Sequence, residues 1–263
     1  MENIDQILNK IYSYFDRAVE FLKNITRLEL MVKLNEISKK IHSSLVGLAI
    51  VFSTLLLIIL YVYTGVGSYI TYAVLSIIGL LFISYLAKDF HSACENLISA
   101  NKTTLSSNAI LRFSAIFSLI IAAVLLLGAL ASFFTGEIEQ SLTFLLFALV
   151  LYISAGTLFN PSLINIEVVN DSSSGEDFIT IFSSGLKSFV YFERIISSLL
   201  IITGIIQIIA IIIKYEFSYA DMYSAGGYIL GGIAFPFLAY LIFTIFWFIN
   251  SILLAILSLR KSS

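Results

Sequence analysis

Five stretches of this chain carry no Asp, Glu, Lys or Arg: Ile41–Ala87, Phe113–Gly136, Gln140–Ile166, Ile195–Ile213 and Met222–Leu259. A helix crosses the hydrocarbon core of a bilayer in about 20 apolar residues. The first stretch holds 47 residues and is interrupted by Thr64-Gly65-Val66-Gly67-Ser68, a turn signal, so it contains two spans. The last holds 38 residues, with Gly226, Gly227, Gly231, Gly232 and Pro236 near its start, and reads as one span with an extension. The pattern predicts six spans, near 45–63, 69–87, 114–134, 141–159, 195–213 and 229–250. Runs such as Leu55–Leu60 and Ile208–Ile213 are apolar on every face, whereas strands of a membrane barrel alternate apolar and polar residues. The expected fold is therefore an all-α, polytopic helical bundle.

Composition excludes the other classes. The chain is 59% apolar and 12% charged, with 15 basic and 17 acidic side chains, where soluble domains carry about a quarter charged residues. That is too little charge to keep a globule of this size in water, and too much apolar residue for a disordered chain. A pI of about 5.7 offers no basic footprint for nucleic acid. The single cysteine, Cys94, excludes an intramolecular disulfide.

Cation placement predicts orientation. Lys10, Arg17, Lys23, Arg27, Lys33, Lys39 and Lys40 precede the first span. Lys88, Lys102 and Arg112 lie between spans 2 and 3, Lys187 and Arg194 between spans 4 and 5, and Arg260 and Lys261 in the tail. Of the basic residues only Lys214 falls on the other side, where Tyr61, Tyr63, Tyr69, Tyr72, Tyr215, Tyr219, Tyr223 and Tyr228 cluster as interfacial rings do. Both termini are expected in the cytoplasm, and the expected location is a bacterial inner membrane. The first 40 residues have no apolar core ending in a cleavage site, and neither myristoylation nor prenylation signals are present, so the first span is expected to direct insertion.

Outside the bilayer, residues 1–44 read as a cytoplasmic arm and 45–263 as the membrane domain. Ile4, Leu8, Ile11, Phe15, Ala18, Leu22 and Ile25 alternate steps of four and three, one stripe of a heptad helix. Thr26-Arg27-Leu28-Glu29 matches a capping box, and a second stripe follows at Leu30, Leu34, Ile37 and Ile41. Two amphipathic helices, about 3–25 and 27–43, are predicted, the second running into span 1. The first either packs on the protein's own loops or lipid interface, or docks a partner through Ile4, Leu8, Ile11, Phe15, Leu22 and Ile25. Lys40, Arg112 and Arg194 each precede an odd-numbered span, and the spans pair as three antiparallel hairpins, about 45–98, 113–166 and 194–259. The segment 165–193 is the largest cytoplasmic insert. It contains a second capping box, Ser173 to Glu176, and then a helix presenting Phe178, Ile181, Phe182, Leu186, Phe189 and Val190 along the inner interface. It lacks the strand and Gly-Lys-Ser/Thr ending of a phosphate loop.

Chemistry-bearing residues are few. No Asp, Glu, Lys, Arg or His falls within the predicted hydrocarbon region, which argues against a proton-coupled transporter, a pump or a voltage sensor. Gln207, the most polar group deep in a span, is expected to hydrogen-bond a neighbouring helix. His42, just before span 1, and His91, just after span 2, fall at one depth. His91, Cys94 and Glu95 share a helix face, so His42, His91, Cys94 and Glu95 are a candidate metal set or a His-activated thiol, weighed against simple collection of polar residues at the interface. Gly227 and Gly231 form a GxxxG spacing for close helix packing, with Pro236 expected to kink the same helix. Glu137, Glu139, Glu216 and Asp221 face Lys214 alone on the outer side, an acidic vestibule or simply what exclusion of cations leaves.

The sequence therefore predicts a non-enzymatic integral membrane subunit with no cofactor, surrounded by lipid. It is expected to assemble with itself or with a cytoplasmic partner through the arm, as anchor, scaffold or pore of a membrane complex such as a stress or phage-defence assembly. The alternatives are a channel or transporter lined by Asn160, Gln207 and Asn250, and a membrane-embedded enzyme using the His/Cys cluster. No nucleic-acid partner is expected.

Overall fold

In a computed structural model of the chain, residues 2–169, 174–214 and 217–262 are described, without the side chains of 2–5, 7–9, 11, 15, 139, 254 and 256–262. The elements in order are α1 (Glu2–Ile25), α2 (Leu28–Thr64), α3 (Ser68–Ala100), β1 (Thr103–Leu105), α4 (Ala109–Phe134), α5 (Ile138–Phe159), β2 (Ile166–Val168), α6 (Ser174–Tyr191), α7 (Glu193–Lys214) and α8 (Tyr219–Ser262). Among the described residues six helices are long and apolar enough to cross a membrane, as an integral membrane protein requires. They lie where the charge-free stretches placed them.

The breaks follow backbone chemistry. Gly65 takes φ 70°, and its N–H returns to the Tyr61 carbonyl, closing α2 with a left-handed residue that a side chain disfavours. Gly136, φ 83°, does the same service between α4 and α5. The expected capping box at Thr26 does not form. Arg27 starts α2 without a side-chain cap, and the Thr26 hydroxyl donates instead to the Leu22 carbonyl at 2.9 Å, completing the end of α1. The cap residue of the second expected box, Ser173, lies outside the described residues.

The centre of the bundle is α7, which packs along α8 and α2 and also touches α3, α5 and α6. Ile201, Ile205, Ile208 and Ile211 meet Val46, Ala49, Leu56 and Leu60 of α2 and Ala225, Ile229 and Ile233 of α8. In contrast, α4 packs chiefly on α5 and turns Phe117, Val124, Leu127 and Phe134 outward. Such continuous apolar surface is compatible with an integral membrane protein.

Two departures from the sequence reading position the site. First, β1 and β2 form a two-stranded parallel sheet, Thr103 opposite Ile166 and Leu105 opposite Val168, where only loops were expected. Three-residue strands are below what periodicity reveals. Second, α6 sits over this sheet with its polar side inward: Thr180, Ser183, Ser184, Lys187 and Ser188 are buried while Phe178, Ile181 and Phe182 are exposed. Of the predicted apolar face, Val190 is buried, and Leu186 and Phe189 pack against a cluster formed with α3 and α8.

Candidate functional site

Three helices bring ionisable side chains together at the α6 end of the bundle. His42 comes from α2, His91 from α3, and Glu193 and Ser198 from the first turns of α7. His91 Nδ1 lies 2.8 Å from both carboxylate oxygens of Glu193. His91 Nε2 is 3.2 Å from His42 Nε2, and His42 Nδ1 is 3.2 Å from Ser198 Oγ. The inventory of donors orders this chain. With Glu193 ionised, the carboxylate can only accept, so His91 Nδ1–H donates to it and neutral His91 Nε2 is an acceptor. His42 Nε2–H must then donate, leaving His42 Nδ1 to accept from the Ser198 hydroxyl. Every ring nitrogen has a partner, and in that ionisation state all bonds run one way, from Ser198 to Glu193.

Glu193 and His91 are almost completely enclosed, while the ionic groups beside them reach outward. Arg194 Nε lies 3.6 Å from Glu193 and its terminal nitrogen 3.2 Å from Glu95. Lys39 closes the row on Glu95 at 2.9 Å. Cations and carboxylates thus alternate from Lys39 through Glu95 and Arg194 to Glu193. They line a cleft of about 550 Å³ together with Asn35 and Tyr191.

The structure thus brings His42 and His91 together but separates them from the other two members of the predicted set. Cys94 Sγ points to the Pro236 carbonyl at 3.6 Å and is buried, and Glu95 is committed to the two cations. Among the described residues no group of three or more His, Cys, Asp or Glu side chains is arranged to hold a metal ion. Glu193, Arg194 and Ser198 were legible only as the charged flank and polar start of a span. What completes the site is their register on α7 against α2 and α3.

Lys187 is the second polar centre. Read from sequence as a loop cation, it is completely buried. Its Nζ donates to the Asn101 carbonyl at 2.7 Å, Thr103 Oγ1 at 2.9 Å and the Asn165 carbonyl at 3.3 Å, with the Trp247 ring centre 5.6 Å away. Burial pushes this amine from its ordinary value of 10.5 down to about 7. The same face of α6 continues the stitching. Thr180 donates to the Thr104 carbonyl at 2.6 Å, and Thr157 to Ser188 Oγ at 2.5 Å. Lys187 thereby clamps the ends of the two chain segments that carry the sheet.

Close packing between α7 and α8 uses other glycines than the predicted pair. Among the described residues Gly227 and Gly231 have no neighbouring atom within 4 Å of where a Cβ would stand and so make no tight contact there. At Gly232 a Cβ would lie 2.7 Å from Ile201 Cγ1 and 2.9 Å from the Ser197 carbonyl oxygen. At Gly204 it would lie 2.6 Å from Ile229 Cγ1 and 2.8 Å from the Ala225 carbonyl oxygen. Each isoleucine seats over the opposite glycine. Pro236 lies within α8 and has no N–H to return to the carbonyl four residues earlier, that of Gly232. Ser197 Oγ fills that vacancy, donating to Gly232 O at 2.6 Å.

The remaining predicted residues occupy separate surroundings. Asn160 Nδ2 donates to the carbonyls of Thr26, at 2.8 Å, and Gly156, pinning the joint between α1 and α2. Among the described residues Gln207 makes no hydrogen bond to a neighbouring helix, and neither its amide atoms nor the buried nitrogen of Asn250 has a partner. Gln207 lines a different cavity, at the far end of α7, with Glu137 and Asp221 of the expected acidic side. The Glu139 side chain and Glu216 lie outside the described residues. On α1, the side chains of Ile4, Leu8, Ile11 and Phe15 lie outside the described residues. Leu22 packs beside Leu105 and Leu111, and the Ile25 carbonyl accepts from the Tyr152 hydroxyl. The Ile25 side chain is exposed, as are Tyr12, Tyr14 and Phe21, at 59%, 60% and 64%. No protein-family model, curated protein or solved structure matches the chain.

Proposed function

We propose that this chain is a non-enzymatic integral membrane subunit that assembles with further copies of itself through the arm, residues 1–44, as an anchor or scaffold. In this reading it lies in a bacterial inner membrane as three hairpins with both termini in the cytoplasm. The observation that carries the reading is the exposure of Tyr12, Tyr14, Phe21 and Ile25 on α1. With Leu8, Phe15 and Leu22 at heptad position a and Ile11, Ala18 and Ile25 at d, Tyr12 falls at e and Tyr14 and Phe21 at g. Exposed aromatic residues at the flanks widen the stripe beyond a two-helix seam, which suits a helix that packs against more than one neighbour. Charge favours protein over lipid as the occupant. Helices that bind anionic membrane surfaces are rich in Lys and Arg, whereas α1 carries three cations against four acids. Against the thiol chemistry weighed from the sequence, Cys94 is buried and turned to the Pro236 carbonyl.

The test is the mass of the full chain in detergent micelles by light scattering, for the natural sequence and for Tyr14→Glu with Phe21→Glu. The natural chain should run as an oligomer and the variant as a single copy of unchanged helical content. An unchanged oligomer in the variant refutes assembly through α1.

A further inference from the structure

The cavity at the Lys214 end of α7 has a volume of about 570 Å³ and lies between the start of α5 and the last turns of α7. Its α7 wall is one helix face: Gln207, Ala210, Ile211 and Lys214 follow at steps of three, one and three. Ile138 and Leu142 give the facing side apolar surface beside Gln140 and Thr143, and Glu137, Lys214 and Asp221 carry charge of both signs. Gln207 is 8% exposed, and both of its amide atoms are buried with no hydrogen-bond partner among the described residues. The neighbouring polar pair does not help it, because Thr143 Oγ1 is 3.2 Å from the Tyr228 hydroxyl. A buried amide with neither donor nor acceptor used is costly, and the apolar helix around it offers nothing else to bond.

We infer that this cavity binds a zwitterionic acyl lipid, with its phosphate at Lys214, its ammonium at Asp221 and Glu137, and a carbonyl of its acyl linkage accepting from the Gln207 amide. Depth supports the match. Seven residues separate Gln207 from Lys214, about 10 Å along a helix axis, so the amide lies below the charged rim. That is where an amphiphile changes from head to chain. A free polar solute would leave the apolar wall unused, and a hydrocarbon would leave Gln207 unpaired.

Native mass spectrometry of the full chain in detergent tests this with three probes: dioleoyl phosphatidylethanolamine, dioleoyl phosphatidylglycerol and glycerophosphoethanolamine, the head without chains. The natural chain should retain the phosphatidylethanolamine in preference to the phosphatidylglycerol and should not retain the head alone. Gln207→Leu should weaken the phosphatidylethanolamine by about two- to tenfold, the worth of one uncharged hydrogen bond, while its unfolding in SDS shows the fold intact. Asp221→Asn, at the rim, should narrow the preference between the two lipids. Equal retention of the two lipids by the natural chain, binding of the head alone, or unaltered affinity in Gln207→Leu overturns the assignment.

Discussion

Placing a methyl group at Gly204 or Gly232 should separate α7 from α8, and the size of the effect follows from what the methyl would strike. At both positions the nearest obstacles include a backbone carbonyl oxygen, Ala225 O at 2.8 Å and Ser197 O at 2.9 Å, besides an isoleucine Cγ1. An isoleucine can change rotamer, but a helix carbonyl cannot turn aside, so the two axes must move apart by several tenths of an ångström. Overpacking of this kind costs about 1–3 kcal/mol. Replacing glycine inside a helix returns about 0.5–1 kcal/mol. Separation also strains the bond from Ser197 to Gly232 O, worth about 0.5–1.5 kcal/mol. The net expectation for Gly204→Ala or Gly232→Ala is a loss of about 1–3 kcal/mol. The contrast is internal. Gly227→Ala and Gly231→Ala meet no atom within 4 Å and should be neutral or stabilising by about 0.5–1 kcal/mol. The assay is reversible unfolding of the full chain in mixed dodecyl maltoside and SDS micelles, followed by circular dichroism. Stability in Gly204→Ala and Gly232→Ala equal to the natural chain refutes the packing argument. An equal loss at Gly227→Ala does so as well, and assigns a partner helix to the face taken here as open.

Three further outcomes follow from the polar framework. Ser197→Ala strands the Gly232 carbonyl and should cost about 1–3 kcal/mol; combined with Pro236→Ala, which restores an N–H, the loss should shrink, so additive losses in the same unfolding assay contradict the pairing. Lys187 has a folded value of about 7 against an ordinary 10.5, so between those pH values the unfolded chain binds more protons and stability should rise with pH by up to about 1.4 kcal/mol per unit. Lys187→Met should flatten that rise, and an unaltered pH profile would count against a depressed amine. Asn160→Ala removes the bonds to Thr26 and Gly156, and limited trypsin digestion should then cut faster at Arg27, with an unchanged rate as the contrary result.

How far the sequence foretold this structure depends on what each feature needs. Spans need only length and the absence of charge, so the turn at Gly65, the end of α4 at Phe134 and, to within two residues, both ends of α7 were readable. The meeting of His42 and His91 was also readable, because a hairpin brings equal depths together. Glu193 and Ser198 were not, since their place depends on the rotation of α7 about its axis, which an all-apolar helix does not encode in its pattern. Lys187 was misplaced because the positive-inside rule treats every flanking cation as solvated, and nothing local shows that the Asn101 and Asn165 carbonyls converge on it. The GxxxG spacing failed for the same reason as Glu193. Gly227 and Gly231 share a face, but it is the neighbouring face, with Ala225, Ile229 and Gly232, that meets α7.

The outward surfaces bear on which kind of assembly the arm can organise. A water-filled pore between copies needs polar side chains along the faces that meet. The outward face of α4 presents Phe113, Phe117, Ile120, Val124, Leu127 and Leu130, and that of α8 presents Phe237, Leu238, Leu241, Ile245 and Phe248. Either face would meet a second copy or lipid as hydrocarbon meets hydrocarbon, which favours anchor or scaffold over pore in the proposed assembly. The arm, by contrast, is coupled to the bundle. The helix α2 runs unbroken from Leu28 to Thr64, and it is held on both sides of its entry by Lys39 on Glu95 and by His42 on His91 and Ser198. A neighbour that gathers α1 therefore acts on a rod already fastened to α3 and α7. The buried histidine chain is best understood as that fastening: it joins three helices at the level where the arm becomes a span.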